Sequence, residues 1–161
     1  MTTVYHGSLE IVSTPEIRKP NRTLDYGEGF YLTSSAEQAE NWVRRKIKGD
    51  KRLGYVNVYE YDENMETAFD TLSFENPDEA WLDFVMANRM DSNYRHNYDI
   101  VKGPVANDRV YASFALYEAR LIDKQELINE LRAYKLVNQI LLHTNRALAC
   151  LKWIEAKEVK K

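Results

Sequence analysis

Two rhythms of apolar and polar residues run along this chain, and the switches between them mark its elements. Tyr55-Val56-Asn57-Val58-Tyr59-Glu60-Tyr61 alternates with period two, as a half-buried strand does. Ala36, Ala39 and Trp42 recur at helical spacing just after Thr33-Ser34-Ser35, residues that cap helix N-termini, so a helix is expected over 35–47. It ends in the Lys48-Gly49-Asp50 turn. Asn76-Pro77-Asp78 opens another amphipathic segment through Ala80, Trp81, Phe84, Val85 and Ala87, with proline inside the first turn and Trp81 in the core. Asn107-Asp108 and Asp123 cap two more helices, over 110–121 and up to about Tyr134, joined by a tight corner. Short strands are expected over 4–8, 30–32, 68–74, 99–106, 136–144 and 152–156. Thr144-Asn145 caps a short helix over 146–151, and Leu9 to Leu24, with Pro15 and Pro20, reads as a surface loop. The fold class is α+β.

Composition narrows this to one domain. A chain of 161 residues that is 44% hydrophobic can bury a single core without disulfides or a structural metal. The domain is expected over 1–156, followed by a frayed charged tail over 157–161. Cys150, the lone cysteine, has no partner for a disulfide or a zinc cluster and points to a reducing compartment. No signal-peptide pattern and no apolar run of membrane-spanning length is present, so a soluble cytoplasmic protein is expected. A net charge of −3 gives no general attraction to nucleic acid, and the clusters Arg18-Lys19-Arg22 and Arg44-Arg45-Lys46-Lys48-Lys51-Arg52 read as solvated faces.

Candidate chemistry gathers around Asp25-Tyr26-Gly27-Glu28-Gly29-Phe30-Tyr31-Leu32-Thr33. Two glycines one residue apart make a bent loop that feeds a strand and then a helix. In that geometry Tyr31 and Trp42 can face each other across the strand-helix corner as a clamp for a flat ring; the alternative is that both are core aromatics. His6 stands at the end of the first strand, where it can hydrogen-bond a ligand hydroxyl. Gly7 beside it leaves the backbone open to close approach. Asn138-Gln139 interrupts an otherwise aliphatic strand, and a buried amide pair calls for a ligand or a tight network. His96, in the polar loop 91–98, reads as a surface residue, and no metal site is implied.

Tyr5-His6-Gly7-Ser8, the Gly27 to Thr33 run with its helix, and Asn138-Gln139-Ile140-Leu141-Leu142-His143, in this order, resemble the ADP-ribosyltransferase superfamily, on the branch of diphtheria toxin and the poly(ADP-ribose) polymerases. The chain is most similar to short bacterial proteins of that superfamily, which share a YHGS, a D-[FY]-G-x-GFYLT, a DIVxGPVAND-like strand and a late NQI-x-x-HT. The likeness implies a split β-sheet core with flanking helices. It also implies a mono-ADP-ribosyltransferase that takes NAD as substrate and modifies a macromolecular acceptor, protein or nucleic acid. A role as the toxin of a toxin-antitoxin or phage-conflict system, with an antitoxin protein as partner, follows from the same likeness.

By that resemblance His6 binds a 2′-hydroxyl of the adenosine-side or nicotinamide-side ribose, and the Gly7 backbone, next to Ser8, holds the nicotinamide carboxamide. Tyr31 stacks on the nicotinamide ring and Trp42 lies across it. Gln139 takes the position of the usual catalytic glutamate. Glutamine keeps a hydrogen bond but not the charge that favours an oxocarbenium-like transition state, so activity is expected to be weakened and polymer formation absent. Val137 stands where arginine- and asparagine-modifying toxins carry Glu or Gln, and Glu28 where the short bacterial group often has a basic residue. Two alternatives remain: an NAD-binding or interaction module without catalysis, and a structural domain in which His6, Tyr31 and Gln139 form a satisfied polar cluster.

Overall fold

The computed structural model describes residues 1–19, 24–49, 52–105, 108–134 and 136–160. The cap expected at Asn107, the turn at Asp50 and the basic residues Arg22 and Lys51 lie outside the described residues. Seven strands, β1 (Thr2–Ser8), β2 (Phe30–Thr33), β3 (Leu53–Tyr61), β4 (Thr71–Ser73), β5 (Ile100–Pro104), β6 (Asn138–Leu142) and β7 (Leu151–Lys160), form one sheet in the order β4-β5-β6-β2-β1-β3-β7. Its pairings are antiparallel except β4 with β5. The helices are α1 (Ala36–Lys46), the single turn α2 (Glu63–Glu66), α3 (Glu79–Met90), α4 (Asp108–Glu118) and α5 (Lys124–Ala133), with a 3-10 turn over Asn145–Cys150. The chain is thus α+β, as its pattern predicted.

Local chemistry accounts for most boundaries. Ser35 caps α1, its hydroxyl accepting from the Gln38 N–H, and Asp123 forms a reciprocal capping box with Glu126 at α5. Asp78 caps α3, accepting from the Trp81 N–H, so Pro77 precedes the cap rather than lying inside the first turn. Thr144 sits at the cap position of the 3-10 turn, but its hydroxyl donates to Asp99 Oδ1 at 2.7 Å instead of capping it.

The charged C-terminus departs from expectation. Residues 157–160 are not frayed: β7 pairs with β3 through Leu53↔Lys160, and Val159 is buried against α1. Backbone pairing decides here over composition, and the lysines and glutamates ornament an edge strand, where charge discourages pairing with another chain.

Register shows which side chains share a face. Tyr5 pairs with Thr33, and Thr33 with Gln139, so these three lie in one row across β1, β2 and β6. At one end of the row Tyr5 packs with the α1 cluster of Ala39, Val43, Val56 and Val58. Towards the other end, Leu141 of the same face belongs to the cluster built by α3, α4 and α5 around Trp81, Phe114 and Leu131. One face of the sheet therefore carries two helical layers with β2 between them. The opposite face holds a third cluster of Val4, Phe30, Leu32, Tyr59, Tyr61 and Leu142.

Candidate functional site

β1, β2 and β6 are neighbours in the sheet, which brings the three sequence segments of interest side by side. Among the described residues, Tyr5↔Thr33 is the sole register pair between β1 and β2, so the two strands diverge just past it. His6 enters that divergence. Its Nδ1 lies 2.7 Å from the Tyr31 carbonyl oxygen, and because a carbonyl only accepts, Nδ1 carries the proton. The imidazole stacks on Phe30 at a centroid distance of 4.1 Å. Desolvation lowers the His6 pKa against the opposing hydrogen bond to Tyr31, so the ring is neutral at pH 7 and its Nε2 is an acceptor.

Strand alternation places Gly7, Tyr31 and Gln139 on the helical face, whereas the His6 ring lies with Phe30 on the other. His6 meets Tyr31 through the backbone, not through the phenol. The Tyr31 hydroxyl donates to the Gly27 carbonyl at 2.5 Å and accepts from the Tyr26 N–H at 3.1 Å, and burial pushes its pKa well up. This tyrosine is locked onto the glycine loop, where Gly27 adopts φ 86°.

Trp42 reaches the same face from α1. A Cβ on Gly7 would lie 2.7 Å from the Ala39 carbonyl oxygen and 3.2 Å from Trp42 Cε3. Close approach at Gly7 is thus made by α1 itself, a packing reason for glycine alongside the expected ligand contact. Ser8 is occupied locally, its Oγ accepting from the Glu10 N–H. Lys46 Nζ stands 5.2 Å over the Trp42 ring.

Gln139 is 7% exposed. It stands opposite Gly103 in the β5–β6 ladder, close to the Tyr26 hydroxyl, which donates to the Pro104 carbonyl and accepts from Trp81 Nε1, each at 2.8 Å. Tyr26 links the whole arrangement: its N–H holds the Tyr31 phenol, its hydroxyl ties Trp81 to the Pro104 carbonyl, and its carbonyl accepts from His96 Nε2 at 2.8 Å. Sequence reasoning gave Tyr26 no role, because a tyrosine beside two glycines carries no sign of where its ring goes.

His96 is the clearest correction. It is 7% exposed rather than on the surface, and its ring packs on His143 at 4.1 Å and on Phe84 at 5.4 Å. Its Nδ1 accepts from the Tyr98 N–H, so both nitrogens are used in the neutral form. Desolvation lowers its pKa, and His143 adds to the effect. His143 Nδ1 donates in turn to the Glu28 carbonyl. Two imidazoles thus hold the loop that carries Tyr26 and Glu28, and no spacing rule would have paired them.

A cavity of about 490 Å³ opens at Asn138, between the start of α3 and the end of α5, with Asp78, Pro104 and Arg132 also among its walls. His6, Tyr31 and Trp42 do not line it. Among the described residues no group of three or more His, Cys, Asp or Glu side chains could hold a metal ion, and no helix is long and apolar enough to cross a membrane.

An α+β protein with one seven-stranded sheet and a polar junction at β1, β2 and β6 is the class these features define. The model of a family described as a protein of unknown function, DUF3990, matches residues 2–153, and the chain belongs to that family. No curated protein matches it.

Proposed function

We propose that this protein is an NAD-dependent mono-ADP-ribosyltransferase built on an ADP-ribosyltransferase-like split sheet. The observation that supports the reading most is the convergence of the YHGS, GFYLT and NQI segments on adjacent strands where β1 and β2 part. The groups there suit a ribosyl nicotinamide. His6 Nε2, an acceptor in the neutral ring, can receive a ribose hydroxyl, and on the opposite, helical face, which Tyr31 shares, Trp42 packs beside Gly7 and can contact a flat ring. In the reaction the C1′–N bond of NAD breaks, nicotinamide leaves with the bonding pair, and an acceptor nucleophile forms the new bond to C1′ as its proton passes to solvent. Gln139 orients the nicotinamide ribose without supplying a negative charge, so positioning contributes more than a fixed anion. The cavity beside Asn138 is the acceptor side of the site.

Incubation of the full chain with NAD and a cell lysate, followed by measurement of nicotinamide and of ADP-ribose mass on macromolecules, tests this. Nicotinamide release together with modified acceptor is expected, and both should fall in His6→Ala. The uncharged Gln139 favours one second reading, a module that binds NAD without turning it over. That reading predicts NAD affinity with no nicotinamide release in either the wild type or Gln139→Glu. No thermal shift with NAD, nicotinamide or ADP-ribose would remove both.

A further inference from the structure

Asn57 is wholly buried in the middle of β3, directly opposite His6 in the β1–β3 ladder. A carboxamide in such a place must satisfy its oxygen and both of its N–H groups from the protein. It does so within one short segment. Oδ1 accepts from the Val12 N–H at 2.8 Å, while Nδ2 donates to the Glu10 carbonyl at 3.2 Å and to the His6 carbonyl at 3.3 Å. These partners fix the amide orientation, because the reverse flip would set its oxygen against two carbonyls and its nitrogen against an N–H.

The same bonds fold the chain back after β1. Ser8 Oγ accepts from the Glu10 N–H at the start of the return, and Tyr59, on the same face of β3 as Asn57, donates its hydroxyl to the Val12 carbonyl. Val12 thereby packs against the cluster that holds Phe30 and Tyr59, and the His6 ring stacks on Phe30. His6 Nδ1 is bonded to the Tyr31 carbonyl. Its Nε2 has no hydrogen-bond partner among the described residues, yet it is not wholly buried, so one acceptor stays open beside the stapled segment.

We propose that Asn57 is a positioning residue for His6: by holding the His6 carbonyl, Glu10 and Val12 in one set of bonds, it keeps the imidazole on Phe30 with Nδ1 on Tyr31 and Nε2 open as the acceptor for a ligand hydroxyl. The transferase reading supplies only the identity of that hydroxyl, a ribose hydroxyl, and the inference rests on it to that extent. The placing of the ring stands on the Asn57 contacts alone.

Two measurements on the full chain separate these. In the ligand-free ¹⁵N-labelled protein at about pH 7, the His6 ring nitrogens, assigned by their loss in His6→Ala, should show a protonated Nδ1 and a bare Nε2. Asn57→Ser is too short to reach all three partners, and it should move these signals towards the mixed tautomers of an exposed histidine while the backbone spectrum persists. Tyr59→Phe removes only the bond to the Val12 carbonyl and should move them in the same direction, which keeps the test open if Asn57→Ser does not fold. A wild-type ring protonated at Nε2, or ring signals unmoved in a folded variant, overturns the proposal. NAD affinity supplies the second measurement, as a double-mutant cycle. Asn57→Ser should weaken NAD binding roughly tenfold beside His6 and leave it unchanged in His6→Ala. Equal losses in both backgrounds would mean that Asn57 acts on the fold and not through His6, and would overturn the proposal. Absence of NAD binding by the wild type would remove the transferase reading, while the ring signals still decide how His6 is held.

Discussion

Tyr26 and His96 show how a side chain can matter to a site it does not enter. Tyr26 is fully buried, yet it holds both the Tyr31 phenol and the His96 ring. Its hydroxyl has room only because position 103 is glycine. Gly103→Ala should therefore push the hydroxyl off Pro104 and destabilise the fold by about 1–3 kcal/mol, read as a lower urea midpoint at unchanged slope. A wild-type midpoint would show that the ring shifts freely. Gln139 is buried, so Gln139→Glu puts a charge in a desolvated place and should lower stability; a glutamate variant with wild-type Tm would show that the carboxylate is paired or hydrated there. His6→Ala and His96→Ala should separate in kind. The first is expected to reduce nicotinamide release, besides the stability lost with the Nδ1 bond to Tyr31 and the stack on Phe30. The second should lose about 1–3 kcal/mol, because the Tyr26 carbonyl and the Tyr98 N–H lose a buried partner.

At the scale of elements, the edge strand and the α1 packing carry the argument. Deleting residues 157–161 should unpair the start of β3 and remove the buried Val159 side chain from the α1 cluster, lowering Tm; a tail that frays would be dispensable, so an unchanged melting curve would overturn the β7 assignment. Gly7 lies where α1 rests on β1, with the Ala39 carbonyl and Trp42 closest. The helix that presents Trp42 is thus set by the strand that presents His6, and the proposed ring contact and ribose contact move together. Asp99 provides a similar tie on the other face. Thr144 and Arg146 bond its carboxylate, while its backbone carbonyl accepts from the His143 N–H. Burial alone would raise the Asp99 pKa, but those bonds hold it below the ordinary value.

For the whole molecule the same histidines set the response to acid. His6 and His96 both have folded pKa values below the ordinary 6.5, so the unfolded chain binds more protons as pH falls through that value. Their contribution to stability is complete above pH 6.5 and is lost as pH falls towards the lowered folded values. Unfolding free energy should accordingly drop between pH 7 and pH 5, before the carboxylates titrate. His96→Gln should flatten that slope, since a neutral side chain removes one of the two groups; an unaltered slope would place the acid sensitivity elsewhere.

Periodicity and capping chemistry determined much of this protein before any tertiary contact was considered. The two-residue rhythm of β3, the Ser35 and Asp123 caps, and the order of the strand and helix segments all follow from interactions within a few residues, and such interactions are written in the sequence itself. Tertiary structure alone decided the rest. The 157–160 strand forms because β3 offers a backbone ladder, His96 is buried because His143 arrives from the end of β6, and the Tyr26 hydroxyl finds its acceptor at Pro104, 78 residues away. A hydrogen-bond donor must find its acceptor in space, and for side chains brought together by sheet order that acceptor leaves no trace in local spacing.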